Sequence, residues 1–167
     1  MSAKMWKADD YVVEMMQDLV GKYHPMLANV DKQIAIIFKE KASKAGGMVI
    51  LGKSKKAPEL VNVLGDKEYI FVIELASKEW MELTEKQRIA LLDHHLCACR
   101  VEEDSEKDGD LKCYIAPPDF SAYFPEIERH GVWRDAPEEA SDGASVIEDL
   151  FAKKEKPEED GEEDQSN

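Results

Sequence analysis

The sequence predicts an α+β domain followed by an acidic extension, on three observations. Short β-branched and aromatic runs alternate with helical apolar periodicity over residues 8–134. The clearest helix, starting at Thr84, opens on a capping box. Charge is unevenly distributed: the chain carries 36 acidic and 22 basic side chains, net −14, and residues 136–167 hold twelve of the acids with three lysines. A chain of 167 residues has the size of one domain with an appendage. Its 43% apolar content excludes wholesale disorder.

The elements follow in order. Residues 8–22 predict an amphipathic helix, with Tyr11, Val12, Met15, Leu19 and Val20 at three- to four-residue spacings and Asp9 or Asp10 favouring its N-terminus. Gly21 and His24-Pro25 are expected to end it. Ile34–Phe38, Met48–Leu51 and Tyr69–Leu75 read as strands, the second preceded by a Gly46-Gly47 turn. A short helix spans Pro58–Leu64 and closes at Gly65. In Thr84-Glu85-Lys86-Gln87 the Thr hydroxyl can accept from the Gln87 amide while the Gln87 side chain reaches back. Ile89, Leu92, Leu96 and Cys99 then turn one stripe to a core, and the helix is expected to end near Arg100. The loop Glu102–Asp110 contains the hairpin signal Asp108-Gly109, and Leu111–Ile115 follows as a strand. Pro117-Pro118-Asp119 opens a helix from Phe120 to about Glu128, closed by His130-Gly131. Residues 135–167 form the acidic extension, with an amphipathic helix over 145–154 through Val146, Ile147, Leu150 and Phe151 and disorder beyond it.

Composition narrows the function classes. The acidic balance argues against direct nucleic-acid binding, which depends on Lys and Arg neutralising phosphates. No apolar run reaches the ~20 residues a membrane-spanning helix needs, and the N-terminus lacks the apolar stretch of a secretory signal. Three cysteines, Cys97, Cys99 and Cys113, are too few and odd in number for a disulfide framework. They read as reduced thiols of a cytoplasmic protein. Lys53, Lys55 and Lys56 form a basic knot on a loop, either a solvated edge or a contact for phosphate or an acidic partner. Trp6, Trp80 and Trp133 are expected in or at the edge of the core.

The chemistry concentrates in Asp93-His94-His95-Leu96-Cys97-Ala98-Cys99. A metallopeptidase helix of the HExxH type places two histidines one turn apart on a metal, with a Glu after the first to polarise the bound water. Here His94 stands in the first position, His95 in that of the Glu and Ala98 in that of the second histidine. His95 and Cys99 are one turn apart and His94 and Cys97 three residues apart, so either pair could share a ligand face, with Cys113 and His130 further along. The plainer reading makes the cysteines small buried side chains, His94 a hydrogen-bonded structural residue, His130 a helix C-cap and His24 a helix-exit residue.

Tyr23-His24-Pro25, Leu51-Gly52-Lys53, Leu83-Thr84 through Asp93-His94, Cys97, Cys99 and Phe124-Pro125-Glu126-Ile127 through Val132-Trp133 occur in an order and spacing that resembles the phage metallopeptidase family. The resemblance runs from about Tyr11 to Trp133 and implies a small zincin-like domain, its helices packed on a short mixed sheet of three or four strands. In that family the helix reads like D-H-E-L-C-H-C, and a third ligand is a histidine in a P-H-D-like step. This chain has D-H-H-L-C-A-C and Pro117-Pro118-Asp119. Alanine and proline cannot coordinate a metal, and loss of the Glu removes the acid/base that would take a proton from water.

Function then has three readings of different class. The first is a phage or prophage metallopeptidase-like pseudoenzyme without a cofactor, with His94 and His95 the remnant of its catalytic motif, acting through a protein partner. The second is a zinc metalloprotein or metallopeptidase with a non-standard site drawn from His94, His95, Cys97, Cys99, Cys113 and His130. The third is a DNA mimic whose acidic C-terminus occupies a basic groove on a host nucleic-acid-binding or defence protein.

Overall fold

The computed structural model describes residues 4–107, 109–118 and 123–130. The chain divides into two units, Met1–Pro117 and Pro118–Asn167. The first contains β1 (Met5–Lys7), α1 (Asp10–Tyr23), β2 (Ile34–Lys39), β3 (Ser43–Ala45), β4 (Met48–Ile50), β5 (Gly52–Lys56), α2 (Glu59–Leu64), β6 (Phe71–Ala76), α3 (Ser77–Glu82), α4 (Glu85–Ala98), β7 (Cys99–Glu103) and β8 (Leu111–Ile115). In the second, α5 (Phe124–His130) is the described element. The α+β class expected from the sequence is the class observed.

The sheet is mixed, in the order β1-β2-β6-β5, with β2 and β6 parallel and both outer pairs antiparallel. Alternation along β2 buries Ile34, Ile36 and Phe38, and their register partners Phe71, Ile73 and Leu75 lie on the same side of β6, a strand buried at every position but Glu74. Val12, Met16 and Leu19 of α1 and Leu92 and Leu96 of α4 complete that core. Each such side chain contributes about 1.5–3 kcal/mol by leaving water. Trp80 of α3 closes one end, its ring edge-on to Phe38 at 5.8 Å, while Trp6 lies at the core edge, 6.1 Å from the same ring. Arg88 ties α3 to α4: it stacks on Trp80 and donates to the Trp80 and Met81 carbonyls at 3.0 and 3.2 Å.

The helix caps follow the sequence closely. Asp9 caps α1 by accepting from the Val12 amide. At α4 the Thr84 hydroxyl accepts from the Gln87 amide at 3.3 Å, and Gln87 Oε1 accepts from the Thr84 amide at 2.9 Å. Thr84→Ala is expected to destabilise the fold by ~1 kcal/mol, the usual cost of losing an N-cap. An unchanged urea midpoint would remove the cap's energetic role.

Several expectations need correction. Gly21 lies inside α1, which ends where His24 and Pro25 begin a 3₁₀ turn. Met48–Ile50 is not a strand of the main sheet. It pairs with β3 in an exposed hairpin whose turn places Gly46 and Gly47 at φ 57° and 81°, a region that favours glycine. The basic knot is instead the edge strand β5, paired with β6 from Gly52–Leu75 to Lys56–Phe71. A strand with no branched or aromatic residue leaves no apolar run to detect; Lys55 is held there by an ion pair with Glu74. The long helix stops at Ala98, and Cys99 opens β7, so the expected loop begins only after Glu103. Among the described residues of the last helix, the helical ones are Phe124–His130. The proposed start of that helix at Phe120, the helix over 145–154, the acidic tail and Trp133 lie outside the described residues.

Candidate functional site

Helix α4 lies against both α1 and β5, and its faces meet different surroundings. Leu92 and Leu96 enter the core, with His95 beside them at 7% exposure, while His94 and Cys97 are exposed. His95 is fixed by β5. Ser54 Oγ lies 3.0 Å from its Nδ1 and donates to its carbonyl oxygen at 3.0 Å. A hydroxyl has one proton, so Ser54 accepts from Nδ1–H, and Nε2 carries the lone pair. That Nε2 is buried without a hydrogen-bond partner and faces Gly52. Burial, reinforced by His94, lowers the His95 pKa from 6.5 to about 4, so the ring is neutral near pH 7.

The cysteines divide in the same way. Cys99 is buried, its Sγ hydrogen-bonded to the His95 carbonyl, and burial pushes its thiol up to about 12. Cys113, half-buried on β8, is also raised, chiefly by desolvation. Both therefore stay protonated at neutral pH in the metal-free protein. His130 ends α5 in the second unit.

Of the candidate metal ligands named from sequence, Cys97 alone joins a group of potential ligands among the described residues, and its companions are His24 and Asp93. His24 Nε2 lies 2.7 Å from Asp93 Oδ1. His24 is the C-cap of α1, its amide donating to the Val20 carbonyl, so its exit from the helix directs the imidazole toward α4. Asp93 and Cys97, one turn apart, share one face of α4. His24 is the helix-exit residue that the sequence predicts, and the fold adds its side-chain partner. The only local signal was the i, i+4 spacing of Asp93 and Cys97.

Of the positions that the family resemblance assigns to zinc, 94 and 98 lie on an adjacent face of α4. The Ala116 amide donates to the Ala98 carbonyl at 2.8 Å, which ties the end of β8 to the end of α4. His94 is the one side chain among positions 94, 98 and 118 that offers a lone pair. The residue at the Glu position directs its ring to Ser54 and Gly52. These residues do not fit a zinc ion held in the family's manner.

An α+β domain with its chemistry gathered on one capped helix beside a mixed sheet defines the class. The chain belongs to the phage metallopeptidase family: the family model described as "Putative phage metallopeptidase" matches residues 4–142. No curated protein and no solved structure matches the chain. No helix among the described residues is long and apolar enough to cross a membrane.

Proposed function

We propose that this member of the family no longer hydrolyses peptide bonds and acts by binding a protein partner. The observation that carries the reading is the state of position 95. Peptide hydrolysis needs a base there within reach of metal-bound water. The imidazole present is buried, bonded to Ser54 and wedged against β5. Ala98 and Pro118 add no ligand. Zinc with peptide and protein substrates is therefore expected to give no turnover. Zinc-dependent cleavage that His94→Ala abolishes would overturn this reading.

The sheet supplies a surface for a partner. A cavity of about 360 Å³ is lined by Ala35, Ile37 and Val72 together with Lys7, Lys32, Asp31 and the Lys55–Glu74 ion pair. An apolar side chain matches the Ala35, Ile37 and Val72 part of that lining. Ile37→Glu, which places a charge among the apolar side chains, is expected to abolish retention of a partner held by the intact chain. Undiminished retention would count against this face.

The His24–Asp93–Cys97 group favours a second reading, in which the protein is a metalloprotein with its ion displaced from the family's position.

A further inference from the structure

We propose that His24, Asp93 and Cys97 form a site for zinc or a similar borderline-soft divalent ion, clamping the C-terminal end of α1 to α4. The proposal does not depend on the protein being inactive. The imidazole, carboxylate and thiol come from two helices, 69 residues apart in sequence between His24 and Asp93, and their ligand atoms all lie within 4.8 Å of one another. Zinc bound at ~2.0–2.3 Å in a tetrahedron separates its ligands by roughly 3.3–3.7 Å. The 2.7 Å His24–Asp93 contact must therefore open slightly. Small rotations of solvent-facing side chains supply that change, because Asp93 is 41% exposed and Cys97 is exposed as well.

The donor set selects the ion. One nitrogen, one oxygen and one sulfur suit zinc or cobalt(II), whereas magnesium and calcium require a shell of oxygens. Carboxylate and thiolate together neutralise the ion's double charge. Binding forms a metal–sulfur bond and sends the thiol proton to solvent. His24 coordinates through Nε2, giving up its hydrogen bond to Asp93 and carrying its proton on Nδ1. The exposed side leaves room for water as the fourth ligand.

The site is distinct from the one implied by the family. Positions 93 and 97 precede 94 and 98 by one residue, a turn of ~100° around the helix. The same one-turn spacing that would hold a catalytic ion on one face recurs on the next, and there it meets a third donor from α1. An ion at that point crosslinks two helices of the core, so it acts on the stability of the helix pair.

Cobalt(II) titration of the chelator-treated full-length chain tests this directly. We expect one equivalent to bind, with a thiolate-to-cobalt charge-transfer band in the near ultraviolet that zinc abolishes by displacement. Cys97→Ser is expected to remove the band, and His24→Ala and Asp93→Asn each to weaken binding at least tenfold. His94→Ala and Cys113→Ser are expected to leave it unchanged. Zinc should raise the Tm of the wild-type chain and not that of Cys97→Ser, whose far-ultraviolet circular dichroism shows whether it is folded. Absence of a saturable cobalt site overturns the proposal, as does a charge-transfer band that survives Cys97→Ser or depends on His94. Peptidase activity is not among these readouts, so failure here is separable from failure of the inactive-enzyme reading.

Discussion

Gly52→Ala is expected to destabilise the protein by roughly 3 kcal/mol, at the upper end of what overpacking a tight site costs. A Cβ at this position would lie 2.4 Å from His95 Nε2 and 2.9 Å from the Glu74 carbonyl oxygen. Neither neighbour can yield cheaply. The carbonyl belongs to β6, the strand paired with β5, and the imidazole is buried and bonded to Ser54. Urea unfolding of the single and double variants partitions the effect. Gly52→Ala in a His95→Ala background should cost less than in the wild type, because the ring contact is gone while the carbonyl contact remains. A Gly52→Ala protein within about 0.5 kcal/mol of wild type would show that α4 does not press on β5 at this point.

Acid should weaken the fold through the same imidazole. The ordinary histidine pKa of 6.5 is lowered to about 4 at His95, first by desolvation and then by the neighbouring His94. Between those values the unfolded chain takes up a proton that the native state refuses, so ν_U exceeds ν_N and stability rises with pH. The contribution is complete above pH 6.5 and is lost as pH falls toward 4, by roughly 3 kcal/mol in all. Urea melts across this range, with chelator present to exclude metal, measure the slope. In His95→Gln, which has no ring to protonate, the total loss of stability over this range should be smaller by that amount whatever the absolute stability. Equal slopes in the two proteins would show that His95 is not held neutral by burial.

Both effects arise where the sequence carries the least local signal. The helix, its capping box and the buried stripe through Leu92, Leu96 and Cys99 were legible, because each depends on residues three or four apart. Ile89, expected on the same stripe, is 39% exposed. β5 was illegible because its lysines, serine and glycine carry no apolar period, although Ser54 and Gly52 determine what His95 can do. β7 was hidden for a related reason: Glu102 and Glu103 belong to an exposed hairpin, where Glu102 faces Lys112 and accepts from the Tyr114 hydroxyl at 2.6 Å.

By itself the sequence determined the α+β class, the two strands richest in branched and aromatic residues and the capped helix. These are properties of residue type and short spacing, which a chain carries before it folds. Tertiary structure alone decided that β2 and β6 run parallel, that a lysine-rich strand closes the sheet and that His95 is buried while His94 is exposed. It also decided that His24 meets Asp93 and Cys97. Contacts of that kind depend on the path of the chain between distant residues, and periodicity along one helix cannot specify which end of another helix will lie beside it.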